Sequence, residues 1–400
     1  MEHRWIGVVL NKIAIRVDAN EIVATGHIMR CRTIAGSLVQ MGCSVVFVSA
    51  DNNIAPYVQD DYEIKVLESN WRKMEEEIIV LLDFLHEEEI NTILVDSYYA
   101  TPEYIRMLES NGVRTMYIDD MQKEVYPATA ILNYSPGALE LGYEEFYNGY
   151  SPRLLLGTRY IPIRDQFVLN KQSDSESGFV SSYGIIGTDG ELLQNIDLVA
   201  NENKESSEGA HRTYGYRNES VNNIFLTTGG ADSMGLSELI ASAIIKDPEL
   251  GFTEDKNKKI HLLAGRFYRV TEKIQRYIED GYVVLHQNVS NVADIMSMCD
   301  VAITPAGTTL FELCAVGVLS VSFVFAENQE PDAMYFAKEG YVPYAGDFRD
   351  DLNEVITAIL TYIEEVVHMD TTERIEISGR LKKLIDGQGA DRIAEVLMEM

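Results

Sequence analysis

Apolar positions along the chain keep switching between two periods. Ile13 to Val17 is a short β-type run, Asp18 to Gly26 is a polar loop, and from His27 to Met41 the residues Ile28, Cys31, Ile34, Ala35, Leu38 and Val39 recur at helical spacing and make one apolar face. Gly42 closes that helix and Ser44 to Val48 is the next strand. The rhythm continues with strands at 64–67, 92–95 and 115–118 and helices at 72–88 and 102–110. It resumes at Ile224 with strands at 224–226, 260–263 and 282–285 and helices from Leu236, at 270–279 and at 292–299. Helices at 331–339, 351–368, 373–385 and from Ala390 complete the chain. Strands alternating with helices predict an α/β fold with parallel sheets covered on both faces.

The stretch from Val301 to Gln329 repeats this unit most clearly. It predicts a buried strand, a tight glycine turn at Gly307, a helix starting at Thr308 or Thr309, a second strand, and a polar loop carrying Glu327, Asn328 and Gln329. A helix opened by glycine and hydroxyl residues offers free backbone N–H groups and a positive dipole end to an anion. Glu312, one turn into the helix, is placed to accept hydrogen bonds from vicinal sugar hydroxyls, so the pattern fits a nucleotide with phosphate on the loop and ribose on the carboxylate. It equally fits an ordinary strand–turn–helix in which a threonine only caps the helix. A second glycine loop, Gly229-Gly230 followed by Asp232, lies after the 224–226 strand and before a helix.

Between Asn170 and Asn223 the periodicity fades into polar, acidic runs, with a more apolar centre that predicts a hairpin around Asp189-Gly190. The expected organisation is a first domain over 1–169, an inserted mobile linker over 170–223 and a second domain over 224–400.

Composition narrows the partners. With 33 Lys and Arg against 63 Asp and Glu, the net charge of −30 argues against nucleic acid or an anionic membrane surface. Any phosphate must be held by local backbone dipoles or a few placed cations. The four cysteines, Cys31, Cys43, Cys299 and Cys314, have neither metal-ligand spacing nor the density of a disulfide scaffold. The apolar patch Trp5–Leu10 is too short for a membrane span and lacks signal-peptide form, so the expected compartment is the cytoplasm.

In a parallel sheet, ligands bind beyond the carboxyl ends of the strands, which directs attention to the loops after Val17, Val95 and Ile118. These carry Arg16, Asp18, Gly26 and His27; Asp96, Ser97 and Tyr98; and Asp119 and Asp120. A histidine after glycine at a helix start can serve as a general base, or merely cap the helix or bond a nearby carboxylate. The aspartates also fit loop and capping roles, and no metal pattern links them.

The ordered set Arg16-Val-Asp18, Thr25-Gly26-His27-Ile-Met-Arg30, Asp96-Ser-Tyr98, Ile118-Asp119-Asp120, Leu156-Gly157-Thr-Arg-Tyr160, Gly229-Gly230-Ala-Asp232, Ala306-Gly307-Thr308-Thr309-Leu-Phe-Glu312, Glu327-Asn328-Gln329 and Asp386-Gly387-Gln-Gly389-Ala-Asp-Arg392 resembles the UDP-sugar hydrolases of pseudaminic acid biosynthesis, which act on UDP-2,4-diacetamido-2,4,6-trideoxy-β-L-altropyranose. The resemblance covers nearly the whole chain outside 170–223. It implies two Rossmann-like domains in a GT-B glycosyltransferase-like fold with the ligand cleft between them. It further implies that His27 activates water for inverting attack on the anomeric carbon. Arg16, Asp18, Gly26, Tyr98 and Asn328 would contact the sugar side. Gly229, Gly230, Asp232, Gly307, Thr308 and Thr309 would hold the diphosphate, with Glu312 on the ribose. No metal or other cofactor is implied, and the partner is a UDP-sugar. One departure is Ala24, where the family has glycine. A GT-B glycosyltransferase using the same site, and a nucleotide-sugar sensor without turnover, are the competing readings.

Overall fold

Seven parallel strands carry the first half of the chain and six the second. The computed structural model describes residues 11–20, 23, 26–167, 220–230, 232–265, 267–289 and 291–400, with the backbone of 185–186 and 192–193. The first sheet comprises β1 (Lys12–Val17), β2 (Ser44–Ser49), β3 (Glu63–Val66), β4 (Thr92–Asp96), β5 (Arg114–Ile118), β6 (Ala130–Asn133) and β7 (Arg153–Leu156). Its helices are α1 (Gly26–Gln40), α2 (Ala55–Val58), α3 (Ile78–Glu87), α4 (Pro102–Ser110) and α5 (Tyr143–Phe146). The strand order is 3-2-1-4-5-6-7.

Chain direction across this sheet reverses between β1 and β4, so the loops that follow those two strands open a crevice at the carboxyl edge. Central position explains why β4 is buried along its whole length and why its sequence, Thr-Ile-Leu-Val-Asp, is almost continuously apolar. The α1 face read from helical spacing is buried as expected at Ile28, Cys31, Ile34, Ala35 and Leu38, whereas Val39 is 48% exposed.

The segment Leu169–Thr213 separates as a unit of its own. Its described part is an antiparallel pair, β8 (Ile185–Ile186) and β9 (Leu192–Leu193), with Ile185 opposite Leu193. This is the ladder of the expected hairpin; Asp189-Gly190, and the expectation of a mobile linker, fall outside the described residues.

The second sheet comprises β10 (Asn223–Thr227), β11 (Lys259–Ala264), β12 (Val283–Gln287), β13 (Val301–Pro305), β14 (Leu319–Val324) and β15 (Tyr344–Asp347), in the order 12-11-10-13-14-15. Its helices are α6 (Leu236–Lys246), α7 (Glu272–Glu279), α8 (Val292–Ser297), α9 (Thr308–Val316), α10 (Glu330–Lys338), α11 (Leu352–His368), α12 (Thr371–Leu384) and α13 (Gly389–Glu399). Here the reversal lies between β10 and β13, which puts the Gly229-Gly230 loop and the Gly307 loop side by side.

The two halves are packed together. Helix α13 returns to α1, and Ile393, Ala394 and Leu397 share one apolar cluster with Ile28, Ile34 and Leu38. The approach is close enough that a Cβ on Gly389 would stand 2.1 Å from the carbonyl oxygen of Ile161. After β7 the chain crosses to the second half, where Gln166 Oε1 accepts from the backbone N–H of Val292 at the start of α8 (2.8 Å). All four cysteines are buried and unpaired. Among the described residues, no helix is long and apolar enough to cross a membrane.

Candidate active site

The two crevices form one cleft of about 750 Å³. From the first half it is lined by Gly26, His27, Arg30, Tyr98, Asp120 and Ser135, and from the second by Gly229, Gly230, Gly307, Thr308, Thr309 and Asn328, among others.

His27 sits in the first turn of α1, 7% exposed. Its Nδ1 is 2.6 Å from Asp96 Oδ1, at the end of β4. Burial pushes the Asp96 carboxyl up, but Arg30, and after it His27, hold it well below the usual carboxylate range. An ionised Asp96 can only accept, so Nδ1 carries a proton, and in the neutral imidazole the lone pair is then on Nε2. No described residue bonds Nε2.

Arg30, one turn along the same helix face, donates to both Asp96 oxygens (Nε–Oδ2 2.7 Å, Nη2–Oδ1 2.5 Å). It also donates to Asp120 Oδ2 (2.9 Å) and Tyr134 Oη (2.6 Å). One guanidinium thereby fixes two carboxylates from different loops. Asp120 Oδ2 accepts from Tyr98 Oη (2.9 Å), whose ring meets that of His27 edge-on, with centroids 4.6 Å apart. Across the cleft, Asn328 Nδ2 donates to the same Tyr98 oxygen at 3.3 Å.

The facing wall is built from backbone. Gly229 has φ +88°, a conformation that favours glycine. A Cβ on Gly265, after β11, would lie 2.2 Å from the Gly230 carbonyl oxygen, so the two loops touch main chain to main chain. The turn expected at Gly307 is present, closed by its N–H donating to the Pro305 carbonyl (2.9 Å). Gly307 itself is extended (φ −153°), and a Cβ there would meet nothing within 4 Å. Its contribution is an unobstructed approach to the N-terminus of α9.

No family model matches the chain. A Bacillus subtilis spore coat polysaccharide biosynthesis protein, SpsG, is 20% identical over 97% of this chain and 98% of its own. The UDP-2,4-diacetamido-2,4,6-trideoxy-β-L-altropyranose hydrolase of Campylobacter jejuni is 22% identical over 82% of this chain and 97% of its own. The resemblance read from the motifs therefore extends across most of the sequence. Among solved structures, MurG of Acinetobacter baumannii aligns with 97% of this chain and 100% of its own at a TM-score of 0.57 and 12% identity. The spinosyn rhamnosyltransferase SpnG aligns over 96% of this chain and 99% of its own at a TM-score of 0.55 and 11% identity. The fold is that of the GT-B glycosyltransferases.

The GT-B cleft gathers nine of the residues singled out from sequence: Gly26, His27, Tyr98, Asn328, Gly229, Gly230, Gly307, Thr308 and Thr309. Four others stand behind its walls. Arg16 is fully buried and gives Nε to Glu77 Oε1 (2.6 Å) and Nη1 to Asp18 Oδ2 (2.7 Å), while Asp18 Oδ1 accepts from the Ala50 N–H (2.8 Å). Asp232 holds the start of α6, accepting from the N–H groups of Leu236 and Ser237. Glu312 is buried against Arg164, whose Nε and Nη2 reach its Oε1 at 2.9 and 2.8 Å. Ala24 and Thr25 lie outside the described residues.

The cleft also holds residues to which the sequence reading gave no role. Arg30, Tyr134, Ser135, Arg164, Gly265 and Asp332 line it. Asp332, in the first turn of α10, accepts from Ser135 Oγ (2.5 Å) on the other half. Burial pushes its carboxyl up to about 7; the Ser135 bond opposes this and Asp120 adds to it.

Proposed function

We propose that the chain is a metal-independent UDP-sugar hydrolase that cleaves the anomeric C–O bond of a UDP-linked 2,4-diacetamido-2,4,6-trideoxy sugar with inversion. The observation that carries this reading is the His27–Asp96 pair, with a free Nε2, facing the glycine and threonine loops across one cleft. The −30 net charge calls for phosphate to be held by local dipoles or a few placed cations, and Gly229, Gly230, Gly307, Thr308 and Thr309 supply backbone N–H groups and the N-terminus of α9. The ribose lies towards Glu312 in this reading, in exchange with Arg164.

Nε2 of His27 takes a proton from water. The water oxygen bonds to the anomeric carbon as the bond to the β-phosphate oxygen breaks, and UDP leaves with the electron pair towards the loop dipoles. Tyr98 and Asn328, joined to each other across the cleft, turn to the sugar. Arg16, Asp18 and Asp232 support the loops from behind. The Campylobacter relative's name supports hydrolysis of this sugar class, and the Bacillus relative's name supports a role in making cell-surface carbohydrate; the compartment we assign is the cytoplasm. The solved GT-B structures named as glycosyltransferases favour a second reading, transfer to an acceptor hydroxyl.

Incubation with a panel of UDP-diacetamido sugars and no acceptor, with products read by mass spectrometry, separates the two. Hydrolysis predicts stoichiometric UDP and free sugar, and His27→Ala should lower turnover by about two to four orders of magnitude with UDP affinity nearly intact. Intact substrate without acceptor, consumed once an acceptor is added, would assign transfer.

A further inference from the structure

We propose that Asp332, braced by Ser135 across the seam between the two halves, reads a hydrogen-bond donor, a hydroxyl or amide N–H, on the sugar ring of the nucleotide sugar. The proposal rests on the nucleotide-sugar reading above and adds a specificity-determining residue to it.

Three observations converge on Asp332. It lines the cleft from the first turn of α10, directly after the short segment that presents Asn328. Its Oδ1 is occupied by Ser135 Oγ at 2.5 Å, whereas Oδ2 has no hydrogen-bond partner among the described residues, so the bond fixes the carboxyl plane and leaves one acceptor open. The cleft is also polarised. The loops at Gly229, Gly230 and Gly307 and the start of α9 offer N–H groups, while the opposite corner holds Asp120 and Asp332, both carboxylates.

Arg30 offsets Asp120 through two bonds, at 3.1 and 2.9 Å. No such cation reaches Asp332: its neighbour on α10 is Glu330, and Lys338 at the far end of that helix is engaged with Glu140. With no cation at Asp332 the corner offers a diphosphate no partner, and a neutral ring carrying O–H and N–H donors suits its open acceptor. Two acetamido groups would supply such donors.

Full-length wild type, Asp332→Ala, Asp332→Asn and Ser135→Ala should be compared by steady-state UDP release and by calorimetric titration with UDP and with intact UDP-sugar. The expected result is a loss in kcat/KM of about ten- to a hundredfold for Asp332→Ala, expressed mainly in KM, with UDP affinity within about twofold. Asp332→Asn keeps part of the activity because its amide oxygen still accepts, and Ser135→Ala gives a smaller loss of the same kind. The loss should shrink for substrate analogues lacking the ring donor. Wild-type kinetics in Asp332→Ala, a parallel fall in UDP affinity, or an equal loss for every analogue would overturn the proposal. Should wild type release no UDP from any sugar, hydrolysis fails and Asp332 is judged on binding. The affinity increment of UDP-sugar over UDP must then be present in wild type and lost in Asp332→Ala, and its absence or persistence overturns the assignment.

Discussion

His27 Nδ1 lies 2.6 Å from Asp96 Oδ1, although the two residues are 69 apart in the chain. The carboxylate holds the imidazole in the tautomer that leaves Nε2 basic. Asp96→Asn can still fill the space, but its amide can donate to Nδ1 and so favour the opposite tautomer. We expect turnover of the UDP-sugar to fall by about two to four orders of magnitude, with UDP affinity unchanged within about twofold. Rapid UDP release by the variant would remove Asp96 from the reaction. A thermal melt separates this from the loss of an Arg30 partner.

Gly265 and Gly307 make a contrasting pair. A Cβ at Gly265 meets main chain at 2.2 Å, so Gly265→Ala must push the Gly230 loop away; it should cost about 1–3 kcal/mol of stability and weaken UDP binding about tenfold or more. A Cβ at Gly307 points into open space, and the extended backbone tolerates any residue. Gly307→Ala should therefore melt like wild type and lose UDP affinity alone. Calorimetry on both variants checks the contrast, and equal melting losses would contradict it.

Much of this fold is legible in the sequence because central strands and amphipathic helices advertise themselves by period. The short strands do not. β6 and β7 have four residues each, and β15, Tyr-Ala-Gly-Asp, has almost no β-forming composition and pairs with β14 through an irregular register. The site divides in the same way. His27, Tyr98 and Asn328 stand out by residue type and motif, but the bond to Asp96 depends on β1 lying beside β4, which a parallel sheet reverses to achieve. That signal was available: Asp96 ends a strand next to the switch point. The role of Arg16 was hidden for the opposite reason. A charged residue at a strand end reads as a ligand-binding group, whereas Arg16 is buried and bonded to Glu77, which also accepts from Tyr104 Oη.

The Arg16–Glu77 pair has its own test. Arg16 has no access to solvent, and Glu77 meets it with both oxygens, at 2.6 and 3.0 Å. Glu77→Ala leaves a buried guanidinium with Asp18 alone. The expected loss is about 3–5 kcal/mol by urea unfolding. UDP affinity of the folded protein should be unchanged, because neither residue lines the cleft. A selective loss of ligand affinity with normal stability would return Arg16 to the substrate.

Asp332 predicts a pH-dependent stability of definite sign. Its carboxyl is raised to about 7 in the folded protein, above the ordinary value near 4 that it regains on unfolding. The folded state thus binds the proton more tightly. The group's stabilising contribution is complete below about pH 4, falls as pH rises towards 7, and is constant above it. Asparagine cannot ionise and escapes that decline. Asp332→Asn should therefore gain on wild type between pH 4 and pH 8 by about 1–3 kcal/mol, the cleft opening screening part of the penalty. Urea unfolding of both proteins at several pH values measures the difference. A gap that stays constant over this range would show that burial and Asp120 do not hold the proton on Asp332. A widening gap, alongside impaired UDP-sugar turnover, would mark a carboxylate kept at the cost of stability for what it does in the cleft.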